Sequence, residues 1–298
     1  MKFVKSIFYL LLFVTTTTVA QQQLGYNLKV GDSFSLTQKS LQTIVQQFET
    51  EGMTMDIELI NDVQAEFLMT VVETHQNSYI IDFEFTNFAY QMRSDTMGTV
   101  IDVDTSAELD ESDMTQAIFR GLLGVTMTME MLKTGRIIDI TGGDALIDNM
   151  IKNSGITDET QIQAMRDGME KEYGGQKIAA GFEQFTYIYP ETSKKTGESW
   201  ENSIDGELKA EQVWTLAAID RNVLSIVGVS EVEMDSDSGT TRIKVKGTQN
   251  TQIEADPAHG FIKTYHSESV TEGESFVDSY GDSAIPTKIT TITDYTIN

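Results

Sequence analysis

Residues 53–72, MTMDIELINDVQAEFLMTVV, constrain the fold more than any other stretch of the chain. The odd positions from Met53 to Val71 are apolar apart from Asn61, and most even positions carry Thr, Asp, Glu or Gln. A period of two makes one apolar face and one wet face, whereas a helix would scatter the same residues around its axis. The stretch therefore predicts a half-buried antiparallel strand, or two strands broken at Asn61-Asp62. At roughly 3.3 Å per residue a single strand would run about 65 Å, too long for a flat sheet in a domain of this size. The sheet is expected to bend, bulge or curl, and a curled sheet has a concave apolar face that something must cover.

The rest of the chain fits that plan. Residues 34–48 and 78–93 read as further long strands. In the second of these Tyr79, Ile81, Phe83 and Phe85 share a face before the pattern slips to Phe88, Tyr90 and Met92. A one-residue slip is what a β-bulge does to a strand. Ser112 or Asp113 caps a short helix that Gly124 ends. Val125, Met127, Met129 and Met131 then alternate up one arm of a hairpin whose turn is Lys133-Thr134-Gly135 and whose return carries Ile137 and Ile138. Helical spacing over 144–151, 158–173 and 176–185 follows, with Gly142-Gly143 and Gly174-Gly175 as breaks that could let the helices open. Alternation resumes at 210–219, 222–235, 240–253, 260–271 and 286–297. The expected fold is α+β: a strongly curved, mostly antiparallel, half-barrel-like sheet of about 11–12 strands, with a few short helices packed on its concave face. Residues 21–298 form one expected domain, with two similar β halves, 26–104 and 187–298, around the hairpin and helical segment 112–185.

Lys2 and Lys5 precede an apolar core from Ile7 to Val14 and a small-x-small site at Thr18-Val19-Ala20, which reads as a secretory signal peptide over residues 1–20. The apolar run is about half of what a bilayer requires, so export to the periplasm or beyond is expected, with no transmembrane segment in the mature chain. With no cysteine, the chain has no disulfide, thiolate nucleophile or Cys-ligated metal. A formal net charge of −25 is repelled by nucleic acid and by anionic membrane surfaces.

Candidate chemistry is sparse. Gly31-Asp32-Ser33-Phe34 and Asp256-Pro257-Ala258-His259 resemble the GDS and D-x-x-H blocks of the esterase family named after that motif, which would make Ser33 a nucleophile and His259 its base. Both blocks sit in turn and strand context rather than in an alternating α/β fold, so no catalysis is expected. Asp102 and Asp104 open an acidic loop, 102–113, with calcium-loop spacing, but Ala107 stands where the loop needs glycine. His75, His259 and His266 show no ligand spacing, so neither a metal nor a cofactor is expected. Methionine remains, with Met127, Met129 and Met131 on one strand near Phe83 and Phe85. These five are the candidate ligand contacts for a lipid or other hydrophobic small molecule, because methionine suits surfaces that accept loosely shaped partners; the same residues also fill ordinary cores. A structural or interaction module with a solid core is the competing expectation.

The motif K-x-G-[DE]-S-[FW] occurs twice, as KVGDSF at 29–34 and KTGESW at 195–200. With the exported start, the Phe185–Pro190 approach to the second copy and the central hairpin and helices, it makes the chain resemble a domain-of-unknown-function family of exported Gram-negative bacterial proteins. That resemblance carries no site. The architecture is also similar, at the level of fold, to the half-barrel of periplasmic lipoprotein carriers.

Overall fold

The computed structural model describes residues 22–50, 52–110, 112–237, 240–281 and 283–297, and the expected signal peptide at 1–20 lies outside them. The first six strands are β1 (Ser33–Thr50), β2 (Met53–Thr74), β3 (Ser78–Ser94), β4 (Gly98–Asp104), β5 (Met127–Leu132) and β6 (Ile137–Thr141). A helix, α1 (Met114–Arg120), separates β4 from β5. Three more helices follow β6: α2 (Gly143–Asn153), α3 (Glu159–Tyr173) and α4 (Gly175–Thr186). The chain then returns to strands as β7 (Ser199–Ile204), β8 (Leu208–Ile219), β9 (Leu224–Asp237), β10 (Thr241–Ala255), β11 (Ile262–Val277) and β12 (Ile285–Ile297).

All twelve strands belong to one antiparallel sheet, in the order β6-β5-β3-β2-β1-β12-β11-β10-β9-β8-β7, with β4 added beside β3. The sheet is open, with β6 and β7 as its edges. Its centre is the pairing of the first strand with the last, which sets Leu36 opposite Ile297 and Ile44 opposite Ile289. One face carries the core, including Leu36, Phe67, Met69, Ile81, Phe83, Trp214, Leu216 and Ile253. The other face is laced with exposed ion pairs such as Lys288–Glu272 at 2.8 Å and Arg242–Asp235 at 3.0 Å.

The long stretch read first is one continuous strand. Asn61 and Asp62 pair with Gln42 and Leu41 without interruption, so the break suggested there is absent. The expected bulge is present: Glu66 pairs with Asn87 and Phe67 with Phe85, leaving Thr86 unpaired and moving the inward face to Phe88, Tyr90 and Met92. Two local expectations are corrected. Asp102 and Asp104 belong to strand β4 rather than to a loop. Helix α1 stops at Arg120, with Gly121 as its cap instead of Gly124, and α2 crosses so close that a side chain at 121 would overlap the Met150 backbone. Strand β7 begins inside the second KTGESW copy, ahead of the first alternating segment read after it.

The repeated motif builds the same turn twice. Asp32 accepts from the Lys29 N–H at 2.8 Å, and Glu198 accepts from the Lys195 N–H at 2.9 Å. Gly31 (φ 91°) donates to Val71 O and Gly197 (φ 86°) to Leu216 O, anchoring each turn to the neighbouring strand. Left-handed φ is accessible to glycine without steric cost, which explains why both copies carry it. Ser33 then hydrogen-bonds Thr70 at 3.2 Å, as Ser199 does Thr215 at 2.9 Å.

One end of the sheet is clasped by the segment around Tyr26. Its N–H donates to Lys133 O at 2.9 Å, its hydroxyl to Thr186 O at 3.1 Å, and its carbonyl accepts from the Tyr79 hydroxyl at 2.8 Å. Two glycine turns press on it: Gly135 (φ 94°) between β5 and β6, and Gly260 (φ 71°) between β10 and β11. A Cβ at Gly260 would overlap Gly25 O, and one at Gly135 would overlap Thr186 O. Tyr189 closes the clasp, its hydroxyl donating to Gly260 O.

Candidate functional site

Helix α4 is amphipathic, and its apolar side lies on the inward face of the sheet. Phe182 meets Phe67 and Phe83 edge-on, with ring centroids 5.6 and 4.9 Å away, and Phe185 stacks on Tyr295 at 4.2 Å. Such pairs contribute about 0.5–1.5 kcal/mol each beyond their buried area. The helix is fixed at the β6 edge by Glu183, which accepts from the Ile137 N–H at 2.8 Å. Burial raises the Glu183 pKa, and that hydrogen bond opposes the rise.

Between α4 and the sheet lies a cleft of about 270 Å³. Its walls are Phe67, Phe85, Ile178, Phe182, Phe185 and Tyr295, and Gly181 opens one side of it. A Cβ built on Gly181 meets nothing within 4 Å. Gln38, Gln184 and Tyr295 also border a second cavity of about 330 Å³, which continues along the inward face.

The second cavity is lined differently. Gln42 of β1, Thr291 of β12, Ser269 of β11 and Gln249 of β10 stand opposite one another in register and all face it. The same row continues past the cavity, to Asn61 on β2 at one end and through Ser230 and Gln212 to Asn202 on β7 at the other. A belt of uncharged polar side chains thus crosses eight neighbouring strands of the inward face, and in the cavity it is joined by Ser40, Ser267, Thr271 and Thr293. Tyr90 donates to Asn61 at 3.1 Å and Asn61 to Gln42 at 3.2 Å, while Gln249 donates to Tyr265 at 3.3 Å. Gln212 Oε1 and Ser230 Oγ are buried without a hydrogen-bond partner among the described residues.

Of the five residues singled out from the sequence, one lines the cleft. Phe85 is its floor, in contact with Phe67 at 4.4 Å. Phe83 lies beneath Phe182 in the core. Met127, Met129 and Met131 have 0% exposure and pack within the main core cluster. The glycine pairs are contact points: a Cβ on Gly143 would sit 3.1 Å from Gly175 N, so α2 and α4 touch there. The belt was not anticipated, although Asn61 as the one polar residue on an apolar face was its trace.

Ser33 and His259 are not hydrogen-bonded to each other among the described residues. The Ser33 hydroxyl is engaged by Thr70, and His259 Nδ1 accepts from the Phe261 N–H at 3.1 Å. Asp104 accepts from the Ser106 N–H at 2.8 Å and from its hydroxyl at 2.6 Å, which lowers its pKa. No group of three or more His, Cys, Asp or Glu that could hold a metal occurs among the described residues.

His266 lies on the outer face, Nδ1 2.7 Å from Asp294 Oδ1 and Nε2 3.3 Å from Glu268 Oε1. Its pKa is raised, first by the Asp294 hydrogen bond. The titration of His266 followed by NMR should have its midpoint above the ordinary 6.5 and fall back in Asp294→Asn. Because the folded value is the higher one, the stabilisation is complete below the unfolded pKa and is lost as pH rises through the folded pKa. An unshifted midpoint would mean that the pair is not formed in solution.

The family described as "Family of unknown function (DUF6263)" matches residues 76–262. No curated protein matches. Among solved structures, lipovitellin is similar with a TM-score of 0.48 and 11% identity over 91% of this chain, which spans only 25% of the lipovitellin chain. An outer membrane channel from Pseudomonas putida F1 is similar with a TM-score of 0.29 and 8% identity, covering 92% of this chain and 97% of that one. A Bacteroides fragilis protein with a YmcC-like fold has a TM-score of 0.15 and 6% identity, covering 90% and 98%.

Proposed function

We propose that this chain, which belongs to the DUF6263 family of unknown function, is an exported, non-enzymatic protein of the cell envelope that holds a hydrophobic ligand between α4 and the inward face of its sheet. The observation that carries this reading is the aromatic cleft beside Gly181. Ligand sites are concave, mostly apolar and served by a few polar groups, and this cleft has aromatic walls with two glutamines at its margin.

The reading includes a curled sheet with α4 on its concave side. Its support is the second cavity, which takes lining from Gln42 on β1 and from Leu208 on β8. Those strands are five steps apart in the sheet order, about 24 Å if the sheet were flat, yet both reach one cavity. Charge also separates this chain from a membrane-spanning barrel. The outward face carries Lys288–Glu272 and Asp235 between Arg242 and Lys244. Arg or Lys facing lipid costs about 2–4 kcal/mol at the bilayer midplane.

Gly181 supplies the test. Gly181→Phe should fill the cleft and abolish binding of the apolar dye N-phenyl-1-naphthylamine, read by fluorescence. Gly181→Ala should keep binding and raise stability by about 0.5–1 kcal/mol, because glycine is a poor helix interior residue. Dye binding to the Phe variant equal to that of the parent chain, or none to the parent, would refute the cleft as the ligand site; absence of binding to the parent is what a solid structural module gives.

A further inference from the structure

We infer that the ligand is an uncharged amphiphile with a hydroxyl-rich head: its apolar chain lies in the aromatic cleft, and its head sits against the polar belt. This rests on the proposed ligand cleft and adds the chemical class of the molecule. Three observations carry it. The cleft and the polar cavity share Gln38, Gln184 and Tyr295, so one molecule can span both. The side-chain amides of Gln38 and Gln184 have no hydrogen-bond partner among the described residues, although each has donors and an acceptor to offer.

The second observation is the absence of charge. No Asp, Glu, Lys, Arg or His lines either space among the described residues, in a chain of which 22% is charged. A phosphate or carboxylate placed there would be desolvated with no counter-ion, which is strongly unfavourable. Hydroxyls and amides, by contrast, both donate and accept, as the hydroxyls of a glycerol or sugar do. A head with several hydroxyl groups can therefore satisfy the belt without ionic pairing.

The third observation is the belt itself. Buried polar groups in a packed face are costly unless paired, yet the row from Asn61 to Asn202 keeps a polar residue on every strand it crosses. Where the row faces the cavity it presents Gln42, Thr291, Ser269 and Gln249, whose amides and hydroxyls give that space hydrogen-bonding capacity. An apolar cargo alone would leave that capacity unused.

The experiment is displacement of N-phenyl-1-naphthylamine by three lauroyl or lauryl compounds below their micelle concentrations: monolauroylglycerol, laurate and lauryl phosphocholine. The neutral glyceride should displace the dye at least about tenfold more tightly than either ionic compound, the equivalent of one or two neutral hydrogen bonds. Thr291→Val, which removes a hydroxyl at nearly constant volume, combined with Ser269→Ala, should erase that preference. Equal displacement by all three compounds would overturn the head-group inference and leave the apolar cleft standing. Tighter displacement by laurate or by the phosphocholine would overturn it as well, and so would a preference that survives in the double variant. A dye that never binds removes both the cleft and the head-group assignment.

Discussion

Gly135→Ala is expected to lower the melting temperature by about 6–12 °C, the shift for a loss of about 3 kcal/mol in a domain of this size. Two costs combine. A residue with a side chain in left-handed backbone loses roughly 1–2 kcal/mol, and overpacking a tight contact adds typically 1–3 kcal/mol. Both apply to Gly135, which has φ 94° and whose added Cβ would overlap Thr186 O. Gly31→Ala is the control, since Gly31 has φ 91° with nothing within 4 Å of an added Cβ. It should show the backbone cost alone. Equal shifts in the two variants, measured by thermal denaturation, would mean that the Tyr26 clasp does not hold the β5–β6 turn tightly.

Met129→Ala is expected to cost about 2–5 kcal/mol, as large-to-small changes in a core do. Met129 has 0% exposure, and its neighbours on the strand, Met127 and Met131, are equally enclosed. Met129→Leu conserves volume and should cost less than about 1.5 kcal/mol, with dye affinity unchanged. Phe85→Ala should do what Met129→Leu does not, weakening dye binding through the cleft wall. Urea denaturation and dye titration of the same variants separate the two roles. A Met129→Leu protein of parental stability that fails to bind dye would return the methionine strand to the ligand site.

The strands were legible because alternation is a local signal. Residues 53–72 declared their inward face, and the slip from Phe85 to Phe88 disclosed the bulge before any pairing was known. Helix α3 was equally readable, with Asp158 capping it and accepting from the Gln161 N–H at 3.0 Å. What escaped was whatever depends on which strands stand side by side. Thr291, Ser269 and Gln249 lie in stretches where both faces are polar, so period-two reading has no contrast to work on. They form a belt only once three strands are aligned in register. Asn61 was visible as an anomaly, but its first reading, a break in the strand, treated a polar residue on an apolar face as a defect of the element and not as a property of the face. Methionine as a residue type suggests adaptability, whereas the enclosure of Met127, Met129 and Met131 in the core is legible only in the structure.

The pairing of β1 with β12 also sets an order of events. Every other ladder among the described strands joins neighbours in sequence, or β3 to β5 across a short insertion, and such pairings close small loops. The seam that sets Leu36 opposite Ile297 must close nearly the whole chain, and long-range contacts of that kind slow folding because the entropy of closure is lost before the contact is made. On a ribosome or emerging from a translocation pore, β1 has only β2 beside it until the last thirteen-residue strand arrives. During that interval its other edge is an unpaired row of backbone donors and acceptors, open to wrong partners. Deletion of β12 should therefore leave local hairpins that form and a sheet that aggregates along its middle.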